Sequence, residues 1–247
     1  SKANLWMYFG PLLMSFGLTN LASIFANKPV EDRENYRLHM LTTSGLSLFV
    51  YWFATFIFDL IIYEITNIFC WIVLFAFRTD ALVSNNWMCT FFLFVFEPLH
   101  ILPLVYTGSL FFDTLLSVSQ FFQTFLVIIT LIPYFVITLV IGNDIDDTAA
   151  CIVSIVPPYA IQNGLRIAAE RACGKPVTAK DTWSGVFVIL FAIQIGCGII
   201  FALLGVLVYK IKSRAKSKVK SESRKVSNEN KNEVVDEDVT ELNDMVL

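Results

Sequence analysis

Long uncharged apolar runs alternate with short polar ones along this chain. Leu5–Ala26 carries no charge, and Leu46–Phe77 is apolar apart from Asp59 and Glu64. Trp87–Phe112 is apolar but interrupted by Glu97-Pro98, His100 and Pro103, while residues 114–143 and Trp183–Tyr209 carry no formal charge. A run of roughly 22 residues reaches about 33 Å as a helix, enough to cross the hydrocarbon core of a bilayer. Each run is therefore read as a membrane helix. The spans fall at about 5–26, 46–77, 87–112, 115–142 and 183–209, and the fold class is an all-α polytopic membrane protein.

The pattern also predicts irregularities. The 46–77 run is longer than a bilayer core requires, so it extends beyond the membrane, tilts or breaks. Pro98 and Pro103 are expected to kink or break their helix. The longest connection, 142–182, opens with Asp144, Asp146 and Asp147 and continues into a run, 151–159, too short and too Pro-rich to span. A helix follows, with Pro158 near its start, Arg171 in its last turn and Gly174 just past its end. An apolar, Pro-interrupted piece between two spans reads as a re-entrant or interfacial segment. A surface loop is the alternative, and the apolar 152–157 run argues against it.

Composition agrees. The chain is 56% hydrophobic with 23 Phe, where a soluble domain is nearer about 45–50% apolar. Charge matters through its placement: about half of the 18 Lys and Arg lie beyond Tyr209. The basic run Lys210–Lys225, directly after a span, marks the cytoplasmic side and can meet anionic lipid headgroups. Counting back over five spans places the 27–45 loop inside and the 142–182 segment outside. Arg166, Arg171, Lys175 and Lys180 in the outer segment run against that rule locally. From Ser227 onward the composition is a polar, acidic linker. The chain starts with Ser inside an apolar pattern, so it is expected to be a piece of a longer polypeptide or an incomplete gene model.

Candidate chemistry is sparse. In the 27–43 stretch Lys28, Arg33, Arg37 and His39 stand beside Glu31, Asp32 and Glu34, and Pro29 separates it from the preceding helix. Early acids and later basic residues suit the dipole of a short helix, although charge alone favours a plain solvated loop. Asp59 and Tyr63 share a helix face. Asp59 is either functional or, as preferred, a packed acid bonded to a neighbouring helix; Glu64 is placed nearer the outer boundary. Glu97 and His100, three residues apart, could pair in a proton relay, but a break packed against neighbouring protein is the preferred reading. Gln120 and Gln123 could bond across helices, and Gly196-x-Gly198 could allow close helix approach.

Of five Cys, Cys151 and Cys173 flank one loop and could form a disulfide on an oxidising side; two thiols is the equal alternative. There is no Cys/His cluster, so no metal site is expected. There is no G-x-x-x-x-G-K-[ST] motif, since the one Gly-Lys pair, Gly174-Lys175, is followed by Pro176. No catalytic residues are assigned and no nucleic-acid partner is expected.

The Glu31–Tyr63 stretch resembles subfamily A of the ATP-binding-cassette transporters, in the second transmembrane domain. The resemblance is carried by Glu31-Asp32-Arg33, His39, Ser44-Gly45, Tyr51-Trp52 and the Asp59/Tyr63 pair. Pro103-Leu104-Val105-Tyr106 with Ser109 and Phe112, Val156-Pro157 with Gly164-Leu165, and Asp236-Glu237-Asp238-Val239 continue it in order. Tyr36 and Leu38 stand where the family has a Lys pair, and Leu41 where it has Gln. The resemblance implies a type V (subfamily G-like) exporter fold with six helices per half, the first lying outside this chain. It implies that residues 31–43, with Glu31, Asp32, Arg33, Arg37 and His39, form a coupling helix docking on a nucleotide-binding domain. ATP and Mg would be bound in those domains of the parent protein and no cofactor in this chain. The expected partners are membrane lipids, the nucleotide-binding domains and the first transmembrane domain, and the expected activity is ATP-driven movement of lipid or sterol. Residues 211–247 would lead towards the second nucleotide-binding domain. Two other classes stand beside this: a stand-alone membrane scaffold or truncated product without transport, and a channel or proton-coupled carrier using Asp59, Glu97 and His100.

Overall fold

The computed structural model describes residues 2–76, 87–136, 151–174 and 185–214, and nearly all of them are helical. In chain order the helices are α1 (Lys2–Phe25), α2 (Asn27–Glu34), α3 (Arg37–Thr43), α4 (Leu48–Ala76), α5 (Trp87–Ser109), α6 (Leu115–Phe135), α7 (Pro157–Gly174) and α8 (Val186–Arg214). Five stretches are long and apolar enough to cross a bilayer: Phe9–Glu34, Leu48–Ala76, Trp87–Ser109, Leu115–Phe135 and Val186–Arg214. The chain divides into two units, Ser1–Gly205 and Val206–Leu247. The described part of the second unit, 206–214, is the end of α8, mostly exposed.

In the first unit α1 is the central helix, packing against α4, α5, α6 and α7. Its buried positions Leu12, Ser15, Leu18, Thr19, Ala22 and Phe25 recur at helical spacing. By contrast α4 buries only a narrow stripe, Tyr51, Asp59, Tyr63, Asn67 and Leu74. The rest of its surface is Phe and Ile, including Phe49, Phe53, Phe58, Ile65 and Phe69, all exposed. An outward apolar face around an inward polar stripe suits a helix surrounded by lipid, where polar groups must find partners inside the protein.

The segment α7 is not a surface loop. It packs on α1, α5 and α6, and Tyr159–Leu165 is buried throughout. Small residues explain how: at Gly164 an added Cβ would come within 2.6 Å of the Leu93 side chain of α5.

One expectation is corrected. Pro98 and Pro103 do not break α5, which is continuous from Trp87 to Ser109. Each proline removes an N–H and frees the carbonyl four residues earlier, and a neighbouring helix holds the one freed by Pro98. Phe94 O accepts from Asn67 Nδ2 of α4 at 2.8 Å. Leu99 O lies so close to Gly198 of α8 that a Cβ there would sit 2.1 Å from it. A helix boundary does fall just ahead of Pro29: α1 ends at Phe25 and α2 begins at Asn27, with Pro29 in its first turn.

Candidate functional site

The polar stretch folds as a hairpin of two short helices. The first, α2, ends at Asn35, and Tyr36 then takes the left-handed conformation at φ 57°. For a residue with a Cβ this costs roughly 1–2 kcal/mol. At the end of α3, Leu46 N bonds Leu41 O at 3.0 Å and Gly45 N bonds Thr42 O at 3.2 Å, the paired bonds of a Schellman cap. Gly45 supplies the positive φ, 98°, that this cap requires. Ser47 Oγ then accepts from Val50 N at 3.3 Å as α4 begins.

One side of the hairpin is fastened to the membrane helices. Asp32, 6% exposed, accepts a hydrogen bond from the Tyr51 hydroxyl of α4 at 2.8 Å, and Lys28 Nζ lies 3.3 Å from its other oxygen. Arg33 Nη2 donates to Ser109 O at 2.6 Å and Phe112 O at 3.0 Å, where α5 ends. Glu34 Oε2 accepts from Leu115 N at 2.8 Å, where α6 begins. Arg37 bridges Glu31 at 3.2 Å and Asp32 at 3.7 Å. Arg37 and Lys28 are about half exposed, so their pairs contribute roughly 0.2–1 kcal/mol each.

The other side is open. Tyr36 is 72% exposed, Met40 62% and Leu41 40%, with Arg37 and His39 exposed beside them. The outcome for the five residues expected to dock on a partner is thus divided. Arg37 and His39 lie on the open side and Glu31 is half-buried, but Asp32 and Arg33 turn inward to α4 and to the end of α5.

Inside the membrane helices the polar side chains pair across helices. Asp59 accepts from the Tyr106 hydroxyl of α5. The Tyr63 hydroxyl donates to Leu18 O of α1 at 3.1 Å. Asn67 also reaches Glu64 at 3.4 Å. Glu97 and His100, both 0% exposed, take separate partners rather than each other. Glu97 Oε2 accepts from Gln194 Nε2 of α8 at 3.2 Å. His100 Nε2 lies 3.2 Å from Ile155 O, just before α7, and its ring stacks on Phe201 of α8. Among the described residues no group of His, Cys, Asp and Glu could hold a metal ion.

The hairpin is thus fastened to a bundle of apolar helices whose acids Asp59 and Glu97 are paired internally. Residues 3–210 match the family model described as ABC-2 family transporter protein. The chain belongs to the ABC-2 transporter family. Over 156 residues, 63% of its length, it is 28% identical to ABC transporter A family member 11 of Dictyostelium discoideum, and the match spans 19% of that protein. It is the transmembrane part of an ABC transporter and an integral, multi-pass membrane domain.

In this ABC-2 domain several residues matter that the linear pattern did not single out. Asn67 is one polar residue in an apolar run, and its signal was the helical spacing from Asp59 and Tyr63. Gln194 carried no signal beyond polarity in an uncharged span. Gln120 and Gln123 lie exposed; the cross-helix bond from that end of α6 comes instead from Ser119 Oγ to Asn27 Oδ1, at 2.8 Å. Cys151 is buried, whereas the side chain of Cys173 lies outside the described residues. Asp144, Asp146, Asp147 and the basic tail beyond Arg214 lie outside them as well.

Proposed function

We propose that this ABC-2 chain is the membrane half of an ATP-driven exporter that moves lipid or sterol, and that the α2–α3 hairpin docks on a nucleotide-binding domain. The carrying observation is the open side of the hairpin. Tyr36, Met40 and Leu41 are exposed apolar side chains on a polar, charge-rich element. That combination marks a protein contact, with the charged rim of Arg37 and His39 around an apolar centre. The left-handed backbone at Tyr36 points the same way: its cost is borne at a residue that does little for the chain's own core.

ATP and Mg belong to the nucleotide-binding domains in this reading, and the chain itself supplies no hydrolytic group. The lipid or sterol cargo is supported by the resemblance to subfamily A and by the subfamily of the Dictyostelium relative. The long apolar faces of α4 and α8 lie open to lipid in such a protein. A proton-coupled carrier has less support: Asp59, Glu97 and His100 bond to three different elements and form no chain of donors among the described residues.

The test uses the full-length transporter in lipid vesicles. Met40→Asp with Leu41→Asp is expected to abolish ATP-dependent lipid translocation while the protein still folds and reaches the membrane. Translocation at the parent rate would reject the docking role, and translocation independent of ATP would reject the ATP-driven reading.

A further inference from the structure

The α5–α6 turn places two helix ends side by side. The end of α5 presents the carbonyls of its last turn and the negative pole of its dipole, Ser109 O accepting from Phe112 N at 3.3 Å with a lone pair to spare, and the start of α6 presents its first N–H groups and the positive pole. Two consecutive residues of α2 meet those opposite poles. Arg33 donates from Nη2 to Ser109 O at 2.6 Å and to Phe112 O at 3.0 Å. Glu34 accepts through Oε2 from Leu115 N at 2.8 Å. A third bond lies one turn further along α6, from Ser119 Oγ to Asn27 Oδ1 at 2.8 Å. The match is of charge as well as geometry: cation on carbonyls, anion on N–H. The α6 start also has its own cap, Thr114 Oγ1 accepting from Ser117 N at 3.4 Å, so Glu34 is not needed merely to begin that helix.

We infer that Arg33 and Glu34 are positioning residues that clamp the α5–α6 turn to the docking hairpin. Displacement of the hairpin then moves α5 and α6 together with α4, rather than passing into the bilayer through α4 alone. This rests on the docking reading above. It assigns a different task to Arg33: transmission within the membrane domain instead of contact with the nucleotide-binding domain. The load reaches α4 by its own route, from Asp32 to the Tyr51 hydroxyl.

The experiment compares Arg33→Met and Glu34→Ala with the conservative Arg33→Lys and Glu34→Gln in the full-length transporter in lipid vesicles. ATP hydrolysis and ATP-dependent lipid translocation are measured together. Spin labels at Thr43→Cys and Leu116→Cys, both exposed positions, report the distance across the clamp with and without trapped nucleotide. Arg33→Met and Glu34→Ala are expected to hydrolyse ATP normally and translocate about tenfold less lipid per ATP, within the usual range of inter-site coupling. In the parent the labelled distance is expected to be the same in both states, and in these variants to broaden. Glu34→Gln, which keeps an oxygen acceptor, and Arg33→Lys, which keeps a donor, restore most of the translocation. Unchanged translocation per ATP in Arg33→Met and Glu34→Ala overturns the clamp, as does a parallel fall of hydrolysis and translocation with no rescue. Should Arg33→Met fail to fold, Glu34→Ala, whose bond is exposed, decides the matter. The Met40/Leu41 variant separates the two ideas: if it uncouples and the clamp variants do not, docking stands and the clamp falls. If it leaves coupling intact, the docking reading itself falls.

Discussion

Gly196 and Gly198 stand two positions apart on α8, and the structure gives them opposite roles. Nothing lies within 4 Å of a Cβ built at Gly196, whereas at Gly198 a Cβ would meet Leu99 O at 2.1 Å and the Leu99 carbonyl carbon at 3.0 Å. The obstacle at Gly198 is backbone, which cannot rotate away as a side chain can. Gly198→Ala is therefore expected to force α5 and α8 apart and lower stability by about 1–3 kcal/mol. Gly196→Ala should leave stability within about 1 kcal/mol of the parent or raise it, because Ala is the better helix former. Thermal unfolding of the two purified variants in detergent checks this, and equal melting temperatures would refute the close contact.

At the scale of elements, α5 is a helix that its neighbours keep whole. A carbonyl freed by Pro98 would be unsatisfied in lipid, and Asn67 of α4 takes it at 2.8 Å. Asn67→Leu should thus cost about 0.6 kcal/mol and at most about 1.7, the range for cross-helix hydrogen bonds in membranes. In a Pro98→Ala background the restored N–H of residue 98 bonds Phe94 O within α5, so the same Asn67→Leu change should cost close to nothing. A double-mutant cycle by unfolding in detergent measures the difference. Additive costs would mean that Asn67 acts elsewhere, through Glu64 for example. The same logic explains α7: small residues such as Ala160 and Gly164 let a weakly apolar helix enter between α1, α5 and α6.

For the whole molecule the consequence is sidedness. The bonds from Arg33 and Glu34 put the α2–α3 hairpin and the α5–α6 turn at the same end of the bundle. The proposed docking of the hairpin on a nucleotide-binding domain requires this end to face the cytoplasm. In a cysteine-free background, Thr43→Cys and Phe111→Cys should resist an impermeant thiol reagent in intact cells and react after permeabilisation. Trp87→Cys, exposed at the opposite end of α5, should react in both. Labelling of Thr43→Cys and Phe111→Cys in intact cells would invert the orientation and place the hairpin where no ATP-binding domain could reach it.

By itself the sequence determined the class of the fold: uncharged runs of bilayer length leave no other way to satisfy the backbone than helices. It also determined that the 27–45 stretch is distinct, because charge between two apolar runs must lie at a membrane boundary. The order of residues around Glu31–Arg33, Ser44-Gly45 and Asp59/Tyr63 carried the family. Only the tertiary structure decided which charges serve the fold and which face outward. Asp32 and Arg33 read as docking residues, but their partners, the Tyr51 hydroxyl and the carbonyls at the end of α5, become neighbours only through packing. The prolines of α5 misled for the same reason. A local rule predicts a kink or a break, and the group that takes up the carbonyl freed by Pro98, Asn67, belongs to a helix far away in sequence. Apolar length is written locally, whereas the partner of a polar group inside a membrane is set by whichever helix happens to lie beside it.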